Sequence, residues 1–163
     1  MLYFLDLLGT MAFAVSGAYH ARSTGLNIFA TVLLGTVTAV GGGTVRDLII
    51  GRTPLFYLID SNYFLVCIVA GVCTYLIPSF FKKNYSLFRF VDSIGLAVFV
   101  IIGASVCHSH LFPLELTPNL ISAITCIFTG VITGVGGGVI RNAMMGSTPF
   151  AFKSSNYISS GFW

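Results

Sequence analysis

The chain has 163 residues, of which 56% are hydrophobic and 8% charged, with a net charge of +3 and a mean hydropathy of +0.93. Soluble domains carry about 25% charged residues, so this composition excludes an ordinary water-soluble globule and indicates an integral membrane protein. The few charges fall between apolar runs and make no basic patch able to track a phosphate backbone, which excludes nucleic acid as the partner.

Apolar runs occupy residues 2–18, 26–50, 63–81, 90–107 and 120–145, and a sixth begins near Tyr157. At about 1.5 Å per residue, runs of roughly 17 to 25 residues cross a hydrocarbon core of about 30 Å. The expectation is therefore an all-α, polytopic helical bundle with five complete spans and the start of a sixth. The first run lacks a basic leader and is interrupted by Asp6, so it reads as a spanning helix and not as a cleaved signal. Between the runs stand turn and interface residues such as Gly25, Pro54, Pro78, Pro113 and Pro149. If the spans alternate, Arg22, Lys82, Lys83, Arg89 and Lys153 share one side. Basic loops stay in the cytoplasm, which predicts an outward N-terminus.

The sequence repeats itself. Residues 35–54 aligned on 130–149 are identical at half of the positions, including all three glycines of each triplet, the following arginine and a Gly-x-Thr-Pro. Asp6, Gly9, Phe13, Gly17 and Ala18 correspond in the same way to Asp92, Gly95, Phe99, Gly103 and Ala104. Each copy holds three spans. An odd number sends the second copy in from the opposite face, giving an inverted repeat with residues 1–81 as copy one and 90–163 as copy two. By comparison with copy one, the last span of copy two is incomplete at Trp163, so the chain is expected to be a fragment or a truncated product.

The glycine triplets are Gly41, Gly42 and Gly43, and Gly136, Gly137 and Gly138. Each glycine costs about 1 kcal/mol relative to alanine inside a helix, so the second span of each copy is expected to kink or open there. An opened helix would free carbonyls for a cation and amides for a carboxylate, tolerable only against protein or a water-filled cavity. The alternative is that the glycines permit a tight helix crossing. No Gly-Lys-Ser/Thr follows either triplet, which excludes a phosphate-binding loop.

Arg46 and Arg141 lie within a turn of the triplets and, as intramembrane charges, require partners. Topology pairs Asp6 with Arg46 and Asp92 with Arg141, with Asp47 competing for Arg46; copy two carries Asn142 at the place of Asp47. Thr36, Thr38, Thr129 and Thr133 precede the glycines, where their hydroxyls either line a polar path or bond back to helix carbonyls. Ser61-Asn62 and Ser155-Asn156 read as helix caps. Cys67, Cys73, Cys107 and Cys126 form no Cys-x-x-Cys pair and read as small apolar side chains. His108, His110 and Glu115 form only a weak metal-ligand set, and neither a metal nor another cofactor is expected. No nucleophile and base recur at helical spacing, which argues against an enzyme.

Two copies of Gly-Gly-Gly-x-x-Arg-Asp/Asn, each with a downstream Gly-x-Thr-Pro and an upstream Asp-bearing helix, resemble the bacterial branch of the trimeric intracellular cation (TRIC) channels, whose repeat is also described as a glycine-transporter domain. The resemblance implies seven spans as three plus three plus one, a homotrimer in the bacterial inner membrane, and a separate pore in each subunit with kinks at the triplets. It implies passage of monovalent cations, potassium or sodium. A permease for glycine or a similar small zwitterion stays open beside it, as does a non-conducting membrane scaffold. Membrane lipid is the surrounding partner in each case.

Overall fold

The computed structural model describes residues 2–77, 85–113 and 119–147. Six helices follow in order: α1 (Leu2–Ser23), α2 (Ile28–Ile50), the single-turn α3 (Phe56–Ile59), α4 (Asn62–Leu76), α5 (Tyr85–Leu111) and α6 (Leu120–Met144). Among the described residues, four helices are long and apolar enough to cross a membrane: α1, α2, α5 counted from Asp92, and α6. The third expected span corresponds to α4, which has 15 residues, and the end of that run, like the sixth run near Tyr157, lies outside the described residues. Asn27 and Asn119 start α2 and α6 by accepting the amides of Ala30 and Ser122. Both helices are followed by a glycine with positive φ, Gly51 at 71° and Gly146 at 62°, a conformation that side chains other than glycine resist. The expected cap at Ser61 is not formed. Asp60 accepts the Asn62 amide in its place at 2.9 Å, and Ser155 and Asn156 lie outside the described residues.

Burial runs opposite to that of a soluble bundle. Thr10, Ser16, Thr31, Thr38 and Thr133 are buried, whereas Phe4, Phe29, Leu120, Ile121 and Phe128 are exposed. Lipid is as apolar as leucine, so helices associate through close packing and polar contacts while large apolar side chains face outward. Glycine supplies the closeness. A Cβ on Gly35 would lie 2.8 Å from the Ala14 carbonyl oxygen, and one on Gly130 would lie 2.5 Å from that of Val100. These contacts lock α1 to α2 and α5 to α6, and all four residues are repeat equivalents.

The two copies meet reciprocally. Gly9 receives Phe99 while Gly95 receives Phe13, and the two phenyl rings pack edge to face with centroids 4.9 Å apart. Further along, the carbonyl oxygen of Thr133 sits where Gly42 would carry a Cβ, and that of Thr38 where Gly137 would carry one. Partner numbers fall as residue numbers rise, so α1 runs antiparallel to α5 and α2 to α6. This is the geometry of an inverted repeat.

The helices stay continuous through both triplets. The expectation of an opened helix with freed carbonyls is thereby corrected: in hydrocarbon each unpaired backbone group costs several kcal/mol, and the triplets instead let two intact helices touch backbone to backbone. A Cβ on Gly136 would lie 3.1 Å from the Cα of Gly42, and one on Gly43 would strike the Phe56 ring. Gly138 differs, meeting only an Arg141 nitrogen at 3.8 Å.

Replacing Gly42 or Gly137 with Ala will lower the thermal midpoint of the detergent-solubilised protein, because the obstructing atom is a backbone oxygen and overpacking costs about 1–3 kcal/mol or more. Gly138→Ala will leave the midpoint unchanged or raise it through helix propensity, by about 1 kcal/mol at most. Equal losses at all three positions would contradict the crossing.

Candidate functional site

Arg46 and Arg141 each stand one helical turn beyond the glycine that touches the other copy, so the antiparallel crossing carries them to opposite ends. Both are buried, at 2% and 6% exposure. A buried charge survives only with a close counter-charge and hydrogen bonds. The two ends meet this requirement differently.

At the copy-two end, the Arg141 Nη1 donates to Asp92 at 3.3 Å, and it also donates to the Ser16 hydroxyl. Its Nε reaches the Asn142 side-chain oxygen at 3.3 Å. Ser16 in turn donates to Asp92 at 2.6 Å. The predicted Asp92–Arg141 pair is present. Ser16, which the sequence did not single out, turns it into a clamp between the copies, because it belongs to α1 while its two partners belong to copy two. His20, on the same helix, lies within electrostatic range of Asp92 and Arg141.

At the copy-one end, Arg46 Nε donates to Asp47 at 2.8 Å. The predicted Asp6–Arg46 pair does not form: Tyr63 donates its hydroxyl to Asp6 at 2.7 Å, and the adjacent Asp47 takes the guanidinium. Arg52 approaches Asp47 at 3.7 Å, and the Arg46 guanidinium lies 5.5 Å from the Phe56 ring centroid. Tyr3 donates to Asp60 and accepts from Asn62 at 3.0 Å. That bond from Tyr3, with the Asn62 amide, holds the Asp60 carboxyl in the loop below the usual carboxylate range. The repeat equivalent of Ser16 at this end is Ile102 of copy two, whose side chain cannot hydrogen bond, and a cavity of about 180 Å³ opens beside Arg46.

The threonines bond to their own helices. Thr36, Thr38, Thr129 and Thr133 donate to the carbonyls four residues earlier at 2.6 to 2.9 Å, and Thr38 and Thr133 press against Gly17 and Gly103. Cys67, Cys107 and Cys126 are buried and Cys73 is exposed, and none of the four is in a disulfide among the described residues. His108 and His110 are two residues apart on helix α5 and therefore do not face a common point, while Glu115 lies outside the described residues.

A family model described as Glycine transporter matches residues 3–79 and again 89–162. The chain is 37% identical over 158 residues to a membrane protein of Vibrio cholerae, covering 96% of this chain and 62% of that protein. It is 35% identical over 160 residues to the inner membrane protein YadS of Escherichia coli, covering 96% of this chain and 72% of YadS. Among solved structures, it matches the TRIC trimeric intracellular cation channel orthologue of Rhodobacter sphaeroides with a TM-score of 0.82 and 32% identity, over 97% of this chain and 77% of that one. A second TRIC cation channel, solved to explain conductance, matches with a TM-score of 0.77 and 31% identity over 96% of this chain and 72% of that one. The chain belongs to the bacterial TRIC family. These solved relatives are channels, not enzymes, and the TRIC fold accounts for the doubled glycine-arginine motif as the two crossing helices of an inverted repeat.

In this TRIC chain, Asp47→Asn will destabilise by about 3 kcal/mol or more, since it strands the buried Arg46 charge. A double-mutant cycle between Arg46 and Asp47 will show strong coupling, and one between Arg46 and Asp6 a small coupling only. A large Arg46–Asp6 coupling, measured by denaturation in detergent, would contradict the partner assignment.

Proposed function

We propose that this chain is the pore-forming part of an inner-membrane channel for monovalent cations, with potassium and sodium as the permeant ions. The observation that carries the reading is its likeness to solved TRIC cation channels at 32% identity with a TM-score of 0.82. We assign residues 1–81 and 90–163 as the two repeats, in keeping with the twofold match of the family model. The ion path follows the pseudo-twofold axis, with the crossing of Gly41 to Gly43 on Gly136 to Gly138 as its narrowest point. Backbone atoms are in contact there, so conduction requires α2 and α6 to part. Arg46 and Arg141 flank the crossing and do not repel a cation outright, because Asp47 and Asp92 neutralise them at 2.8 and 3.3 Å. Thr38 and Thr133 supply oxygen atoms to the path once the helices separate. Each subunit carries its own path within a homotrimer, the N-terminus faces outward, and basic loops remain in the cytoplasm.

A second reading, transport of glycine or a similar zwitterion, is favoured by the description of the family model and by the unlike charges gathered around Arg46. The chain spans 62% of the Vibrio relative's length, and the full-length protein is the one to test. Reconstituted in liposomes, it will pass potassium down its gradient without glycine, and Gly42→Ala will raise that flux severalfold, because the added methyl meets the Thr133 carbonyl oxygen and wedges α2 and α6 apart. Saturable glycine uptake without ionic conductance would instead establish the permease. Neither flux would leave a non-conducting scaffold.

A further inference from the structure

The cavity at the copy-one end is bordered by Tyr3, Asp6, Arg46, Arg52, Tyr63 and Ser105. Its volume of about 180 Å³ lies below the roughly 300–1,000 Å³ of drug-sized pockets, which restricts an occupant to a small solute or a single head group. Arg46 has its side chain 3% exposed. Its Nε is committed to Asp47, yet its two terminal nitrogens make no hydrogen bond among the described residues. These nitrogens are not sealed inside the protein but open onto the cavity, where an occupant can accept their hydrogen bonds. Arg141 has no such surplus at Nη1, which Ser16 and Asp92 occupy.

Asp6 borders the same cavity with one oxygen held by Tyr63. It lies within electrostatic range of Arg46 and Arg52 but forms no ion pair with either among the described residues. Arg52, with its side chain 34% exposed, reaches only Asp47 at 3.7 Å. Asp47 is fully buried beside Arg46 and does not border the cavity. Two guanidinium groups and one carboxylate therefore share the cavity walls without pairing across it. Counting Asp47, the four charges cancel. A bare cation would meet two guanidinium groups, and a bare anion would meet Asp6. A solute carrying an oxyanion and an ammonium group satisfies both sides at once.

We propose that this cavity binds a small zwitterion, its carboxylate or phosphate on Arg46 and Arg52 and its ammonium group on Asp6. The same chemistry is offered by a free α-amino acid and by the ammonium-phosphate head group of an aminophospholipid. Occupancy does not require that the solute be carried across the membrane. The proposal deepens the second reading above by naming where its zwitterion would sit, and it is independent of whether the protein conducts ions.

Isothermal titration of the purified full-length protein in detergent tests the site without any gradient. Glycine and O-phosphoethanolamine serve as the two zwitterionic probes, and acetate and methylammonium as the singly charged halves. At least one zwitterion will bind saturably, and each half at least roughly tenfold more weakly, as expected when one charged hydrogen-bonded contact is lost. Tighter binding of glycine identifies a free amino acid as the source, and tighter binding of phosphoethanolamine identifies a lipid head group. Arg52→Gln will weaken glycine and acetate alike. Asp6→Asn will weaken glycine and leave acetate as tight or tighter, since a like charge is removed, a distinction that general loss of structure does not produce. Ser16→Ala, at the opposite end, will leave binding as it is. Acetate binding as tightly as glycine, binding indifferent to Asp6→Asn and Arg52→Gln, or no saturable heat with either zwitterion would overturn the proposal while leaving the flux results untouched.

Discussion

The fold depends on one contact made twice: a threonine carbonyl of one copy seated against a glycine of the other, Thr133 on Gly42 and Thr38 on Gly137. In a bilayer there is little hydrophobic reward for bringing helices together, so van der Waals contact between backbones has to hold them. Only glycine allows the approach, and glycine weakens each helix it enters. The surrounding packing compensates. Gly35 and Gly130 bind α2 and α6 to their own copy's first helix, while Gly9 and Gly95 admit Phe99 and Phe13 across the axis. Because these contacts are reciprocal, forming one half prescribes the other.

The same crossing fixes where charge can go. Each arginine follows its contact glycine by one turn, and the antiparallel arrangement carries the pair to opposite ends. Each then takes one carboxylate at contact distance, Asp47 for Arg46 and Asp92 for Arg141. The copies reach this result by different substitutions. Copy two dispenses with the acidic neighbour, having Asn142, because Asp92 and Ser16 reach its arginine directly. Copy one keeps Asp47 because Asp6 is held by Tyr63 and the equivalent of Ser16 is Ile102. Sequence symmetry is broken where the chemistry of the two ends diverges.

Much of this was legible in the residues. Apolar runs set the spans, and an odd number of spans per copy forced the inversion. An arginine in a span demanded a nearby carboxylate, which located the Asp92 pair correctly. Local energetics failed at the triplets because helix propensity describes an isolated helix, whereas Gly42 and Gly137 are occupied by a partner's backbone. Topology alone could not choose between Asp6 and Asp47, since both lie near Arg46 and the decision rests on the Tyr63 hydroxyl. Ser16 was missed because a serine in an apolar helix is unremarkable by itself; its pairing in the repeat with Ile102 was the available signal. Asn27 and Asn119 likewise stood just before apolar runs, where a capping rule applied to every run would have found them.

An inverted repeat with identical halves would present the same chemistry to both sides of the membrane, and nothing in its own structure would distinguish the direction of flow. This chain departs from that condition most consequentially around its two arginines. At one end Ser16 ties Arg141 and Asp92 together across the copies. At the other, Ile102 supplies no bond, Arg46 turns to its own neighbour, and a cavity bordered by Asp6 and Arg52 remains. Moving α1 away from α5 and α6 breaks this polar clamp at the Arg141 end, whereas at the Arg46 end Ile102 makes no such bond to be broken. Lipid solvates apolar groups well and polar groups poorly, so the first separation is the costlier. The Arg141 clamp is accordingly the polar contact that ties the two copies together, and the Arg46 end has no counterpart to it.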